Sequence, residues 1–214
     1  MMLYCMRKVN HVKRQTEGIS EKLLECAEKE FLSKGFNDAS LRDIAGNAGV
    51  STSTIYTRFG DKLGLLRAII APVADELKAI YVSGLNSFFS QQVDAQKATM
   101  QAMATVGQRG MIDFIYDNIA VFRLLMIMPV EAMRSEIIDA FSRINVQSTT
   151  RYIEAIGSDA FTAGRMTPTL LYTISTAFFA GVMETVKQDM TRGQAYRHLA
   201  LLQNFFRTGW AGVF

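Results

Sequence analysis

Few residues able to carry chemistry occur among these 214: two cysteines, two histidines and one tryptophan, with only three prolines to interrupt regular structure. Cys5 and Cys26 lack the paired spacing of a thiolate metal site or a redox couple, and they read as reduced thiols of a cytosolic protein. His11 and His198 have no partner nearby in sequence, so metal ligation and histidine-driven nucleophilic chemistry find no framework. Paired carboxylates at a catalytic spacing and a phosphate-cradling glycine loop are missing too. An enzyme, a metal site and a bound cofactor are therefore not expected. Long apolar runs are also lacking. The longest, residues 119–130, is broken by Arg123, and the basic start MMLYCMRKVNHVKRQ is too poor in apolar length for a signal peptide, so no membrane span is expected.

What remains is a helix-forming composition, 49% hydrophobic, rich in alanine, leucine, methionine and phenylalanine and without the alternation of strands. An all-α protein follows. Charge divides it in two. Lys plus Arg against Asp plus Glu stands at 11 to 8 in residues 1–67 and 12 to 12 in residues 68–214, so the net +3 lies wholly in the first third. That imbalance favours a polyanionic partner for residues 1–67, with a basic arm over 1–15.

Ile19, Leu23, Cys26, Ala27 and Phe31 recur at steps of three and four, which predicts a helix over 16–35 ended by Gly35, with Glu17, Glu21, Glu25, Glu28 and Glu30 on a solvated face. Ser40 can cap a second helix over 41–48, with Asp43 completing an approximate capping box. Gly49 suits the left-handed turn that follows, Ser51 can cap a third helix over 52–58, and Asp61 a fourth. Pro72 should kink or break that fourth helix. Further helical patterns cover about 73–89, 93–117, 119–128, 130–156, 168–190 and 193–211, with Thr167-Pro168 as a cap followed by proline at the first helical position.

The small and apolar residues Ile44, Ala45, Ala48, Gly49, Val50 and Ile55 have the spacing of a helix-turn-helix: a small residue where two helices cross, glycine at the turn, and side chains returning to a shared core. The longer run LLECAEKEFLSKGFNDASLRDIAGNAGVSTSTIYTRFGDKLGLLRAII resembles the N-terminal DNA-binding domain of TetR/AcrR-type transcriptional regulators. The matching features are the helix ending F-x-x-x-G-F, the turn S-L-R-D-I-A-x-x-A-G-V-S, and T-I-Y-x-x-F-x-x-K-x-x-L. The resemblance implies an N-terminal three-helix helix-turn-helix domain, 1–67, followed by a helical effector-binding and dimerisation domain, 68–214. It further implies a homodimer on a palindromic operator in double-stranded DNA, most simply a repressor released by a small molecule. An activator or architectural DNA-binding protein of the same fold is the alternative, and a helical carrier or enzyme a more distant one. Two departures matter: Thr52 and Ser53 stand where the family often carries lysine and glycine, and Pro72 lies in the helix that usually links the domains.

The run GVSTSTIYTRFGDK then acquires roles. Thr52, Ser53 and Thr57 are candidates for reading base edges, and Arg58 for a guanine or phosphate contact. By analogy with matching family positions, Thr54, Tyr56 and Lys62 are phosphate clamps. Ser40 and Arg42 can anchor the same strand from the second helix, while Lys13 and Arg14 can extend the basic surface as an arm.

In the remainder, Met100, Met103, Met111, Phe114, Phe122, Met126, Met128, Met133, Tyr152, Phe178 and Met183 give an adaptable interior, and a ligand pocket is expected among Met100, Met103, Met111, Phe114, Phe122, Met126, Tyr152 and Phe178. Its effector would be hydrophobic or amphipathic, aromatic or cationic. The last two helices carry more apolar residues than one chain readily buries. Ala177, Phe179, Gly181, Leu202, Phe205 and Phe206 are the candidate dimer interface.

Overall fold

The computed structural model describes residues 2–127, 131–210 and 212–213, the side chains of 2–17 and 127 excepted. Lys13, Arg14 and Met128, to which the sequence assigns roles, therefore lie outside the described side chains or residues. Among the described residues all regular structure is helical: α1 (Met2–Asp38), α2 (Leu41–Ala48), α3 (Thr52–Phe59), α4 (Lys62–Phe89), α5 (Val93–Asp117), α6 (Ile119–Ile127), α7 (Glu131–Ala155), α8 (Pro168–Lys187) and α9 (Arg192–Trp210). The chain forms two compact units, Met1–Pro72 and Val73–Phe214.

In the first unit α2 packs on α1 and on α3. Leu23, Ala27 and Phe31 of α1, Ile44 and Ala45 of α2, Ile55 of α3 and Leu65, Leu66 and Ile70 of α4 are all buried. Ile19, expected on the same face, is 37% exposed. Gly35 leaves helical geometry (φ 76°, ψ 173°), so the helix bends out of register there and a further turn runs to Asp38. One expectation needs correction and another is narrowed. Glu30 is buried rather than solvated, because its carboxylate is needed at the start of α2. Of the two outcomes expected at Pro72, a kink or a break, the break does not occur, since Pro72 lies inside α4. Proline costs an interior helix one hydrogen bond, and the buried Leu65, Leu66, Ile69 and Ile70 before it and Leu77 after it outweigh that loss.

The second unit is organised around α8, which packs against α6, α7 and α9, while α5 packs on α9. α8 is long and apolar enough to cross a bilayer. Leu171, Phe179, Val182, Met183 and Val186 of this helix are buried in the bundle, while Leu170 and Tyr172 are exposed. Thr167 caps it through a hydrogen bond from the Leu170 amide (3.1 Å), with Pro168 in the first turn. Past its end, Asp189 takes a left-handed backbone (φ 50°), rare outside glycine, and its carboxylate receives Arg123 at 2.5 Å. The segment 157–167, without helical assignment from the sequence, is held by a cluster of Ile153, Ala160, Met166 and Leu171, with Phe161 and Trp210 against it.

Candidate nucleic-acid interface

The turn between α2 and α3 is fixed by short-range chemistry. Ser40 has extended backbone, and its hydroxyl accepts the Asp43 amide at 3.2 Å. A capping box would have Asp43 return the bond to the Ser40 amide. Instead Asp43 turns to Lys34 (3.1 Å), and the Ser40 amide donates to Glu30 Oε1 at 3.1 Å. Glu30 also receives Lys34 at 2.8 Å. These partners, Lys34 foremost and then the Ser40 amide, hold the Glu30 carboxyl below its ordinary 4.5. Gly49 closes α2 in the left-handed conformation (φ 75°), and the following Val50 amide reaches Ala45 at 2.9 Å.

Ser51 occupies the N-cap position of α3 with extended backbone, yet its hydroxyl makes no bond to an amide. It bonds the hydroxyls of Ser53 (2.6 Å) and Thr54 (3.3 Å), a correction to the expected cap. Within the helix, the Thr57 hydroxyl donates to the Ser53 carbonyl at 2.8 Å. Ile55 is the buried residue of α3, while Ser53, Tyr56 and Thr57 are exposed and Thr52, Thr54 and Arg58 half-buried. The α3 residues proposed for base reading and phosphate contact thus fall on surfaces left by Ile55. Arg42 is exposed on α2, one residue beyond the N-terminus that Ser40 caps.

Two candidate cations have partners within the unit. The Arg58 guanidinium donates to Ser20 Oγ at 2.5 Å, tying α3 to α1. Lys62 donates to the Asn37 carbonyl at 2.9 Å and lies over the Phe36 ring, 5.2 Å from its centroid, so its ammonium sits at the end of α1. At the α3–α4 junction the expected Asp61 cap is present, and the sequence reading missed only the close contact at Gly64 beside it. Asp61 caps α4 by accepting the Gly64 amide at 2.6 Å, and a β-carbon on Gly64 would lie 1.8 Å from the Phe59 carbonyl oxygen. Glycine is the residue that fits. The signal available in the sequence was a glycine three residues after a capping aspartate, where a helix otherwise disfavours it.

The C-terminal candidates are spread more widely. A cavity of about 10 Å³, room for roughly one water, is lined by Leu77, Met111, Ile137, Ile138, Phe141, Phe179 and Met183. Of the eight proposed pocket residues, Met111 alone lines it. Phe122 is buried, Tyr152 packs on Phe88 and Phe178 on Phe206, while Met100, Met103, Phe114 and Met126 are half-buried elsewhere. The proposed dimer residues divide as well. Phe179 belongs to the interior, 2% exposed against Tyr81 and Phe141, and so is not available to a second chain. Gly181 admits Leu202 so closely that a β-carbon would come within 2.8 Å of its Cδ2, which places both at the α8–α9 contact within one chain. Ala177 and Phe205 are exposed and Phe206 half-buried, and Leu201 joins them at 73% exposure beside Phe205 at 75%.

Residues 23–69 match the family model described as "Bacterial regulatory proteins, tetR family". The chain is 37% identical over 62 residues to the HTH-type transcriptional repressor BepR of Brucella suis biovar 1 (strain 1330), covering 29% of this chain and 30% of that protein. It is 33% identical over 57 residues to the HTH-type transcriptional regulator SrpR of Pseudomonas putida, covering 27% of each. The matches therefore span less than a third of either relative. Across 90% of this chain and 96% of the other, the fold resembles that of NalD, the secondary repressor of the MexAB-OprM multidrug efflux pump in Pseudomonas aeruginosa, with a TM-score of 0.62 at 18% identity.

Proposed function

We propose that this chain, which belongs to the tetR family of bacterial regulatory proteins, is a cytoplasmic transcriptional repressor that holds a palindromic operator as a homodimer and releases it on binding a small effector. The observation that carries this reading is the pairing of α2 and α3. Ser40, Gly49 and the buried Ile55 fix a helix whose outer surface offers hydroxyls and an exposed tyrosine in place of apolar side chains. Thr52, Ser53 and Thr57 would read base edges. Tyr56 and Thr54 would hold phosphate, with Ser40 and Arg42 anchoring the same backbone. Lys62 would approach phosphate from its seat over Phe36, and Arg58 would contribute from its seat on Ser20.

Selection of bound duplexes from a random pool tests the reading. A palindrome with half-sites about one helical turn apart, bound with strong salt dependence, is expected. Thr52→Ala should change the preferred base, whereas Tyr56→Phe should weaken all sequences alike; the reverse pattern would exchange these roles. Leu201 and Phe205 are the exposed apolar residues of α9 that a second chain would cover. Changing both to glutamate should yield monomers by light scattering, and a dimer surviving both changes would move the interface elsewhere.

A further inference from the structure

We propose that Lys34 is a positioning residue for duplex binding: without touching DNA itself, it holds the Asp43 carboxylate away from the phosphate that Ser40 and Arg42 meet. The inference rests on the regulator reading above.

The start of α2 meets two opposed demands. An acidic side chain in the first turn of a helix stabilises it, because the amides that open the helix leave a partial positive charge there, and Asp43 is the acidic residue of that turn. The same turn offers Ser40 and Arg42 to a polyanion, which a loose carboxylate beside them would repel. A capping box would settle the conflict by folding Asp43 back onto the Ser40 amide. That seat is filled from α1, since the Ser40 amide donates to Glu30 Oε1 at 3.1 Å. Asp43 therefore needs another partner.

Lys34 supplies it. Its ammonium lies 2.8 Å from Glu30 Oε1 and 3.1 Å from Asp43 Oδ2, so one cation on α1 bridges a carboxylate of its own helix and one of α2. Glu30 and Lys34 stand four residues apart with the acid first, the order in which such pairs assist each other on a helix. The two carboxylates, Glu30 foremost, hold the Lys34 ammonium above its ordinary 10.5, which keeps it charged wherever DNA is bound. The Lys34 and Asp43 side chains are both about half exposed. A pair so open to water adds little to folding, and its effect falls on binding instead. Released from Lys34, Asp43 would find the Ser40 amide taken and turn its charge outward beside Arg42. A unit negative charge brought to about 4 Å from a phosphate through water weakens binding about 5-fold.

The test takes the full chain and a duplex that it selects from a random pool, with binding read by fluorescence anisotropy over a range of salt and folding by thermal melts. Lys34→Met should weaken binding about 5-fold at a temperature where the variant is fully folded, with the slope of log affinity against log salt unchanged, since no phosphate contact is lost. In an Asp43→Asn background the same change should cost less than about 2-fold, because no carboxylate is left to hold. Should Lys34→Met fail to fold, Lys34→Gln takes its place in both backgrounds. An equal loss with and without Asp43 would overturn the proposal, as would a salt slope lowered by about 1, which would make Lys34 itself a phosphate contact. A parent chain that binds its duplex while every variant matches it removes the role of Lys34 alone. A parent chain that selects no duplex removes the regulator reading and this inference with it.

Discussion

Most of the bonds that shape the exposed surface of the first unit join residues two to four positions apart: Ser40 with Asp43, Ser51 with Ser53 and Thr54, Thr57 with Ser53, Asp61 with Gly64. The cavity of the second unit instead gathers Leu77, Met111, Phe141 and Phe179 from four different helices. A surface built from near neighbours is specified by capping and turn chemistry, and it tolerates change except where backbone meets backbone. A cavity built from distant helices is specified by volume, and its neighbours can shift to absorb an error.

The two glycines in close contact give the sharpest way to break this contrast. Gly64→Ala drives a β-carbon to 1.8 Å from the Phe59 carbonyl, and backbone cannot move aside cheaply. A loss of about 3 kcal/mol is expected in the unfolding of the first unit, together with loss of duplex binding. Gly181→Ala meets the tip of Leu202, a flexible side chain, so chemical denaturation should register only about 1 kcal/mol. Equal costs would erase the distinction.

Glu30 marks the place where the first unit relies on a residue ten positions away. Glu30→Ala should cost about 1–2 kcal/mol by leaving the Ser40 amide without its acceptor. Because partners lower the folded-state pKa of Glu30, its contribution is complete above the ordinary 4.5 and declines as pH falls through the lower folded value. Glu30→Gln should accordingly flatten the acid limb of a stability–pH profile. An unaltered limb would assign acid sensitivity to other carboxylates.

The two serines at helix starts separate by a smaller margin. Ser40→Ala should cost about 1 kcal/mol, since its hydroxyl accepts an amide, and Ser51→Ala only a few tenths, since its hydroxyl bonds other hydroxyls. Paired thermal melts check the difference, and a Ser51 variant as damaging as the Ser40 variant would restore the cap that the structure lacks.

The same contrast explains what could be read from the amino-acid sequence. Helix starts at Leu41, Thr52, Lys62, Val93, Ile119 and Pro168 were legible because a cap or a periodic face lies within a few residues of each. Ser51 misled because a serine before a helix has the same local pattern whether its hydroxyl turns to an amide or to a neighbouring hydroxyl. Glu30 misled for a different reason. Helical periodicity put it beside glutamates that face water, and only the approach of Ser40 gives its carboxylate an interior partner. Phe179, Gly181 and Leu202 looked like surface for a second chain, since periodicity marks a face as apolar without saying which helix covers it. The cavity lining, apart from Met111 and Met183 which the sequence placed in the interior, was illegible for the same reason: methionine content suggests adaptability, but convergence of four helices depends on packing angles that no local pattern records.

Thr57 deserves a last consequence. Its hydroxyl proton is committed to the Ser53 carbonyl, so what it can present outward is a pair of oxygen lone pairs and a methyl group. In the major groove that vocabulary suits the amino hydrogens of adenine or cytosine and the methyl of thymine, and it has nothing to offer the acceptor edge of guanine. Positions read by Thr57 in a selected operator should therefore be depleted of guanine on the contacted strand.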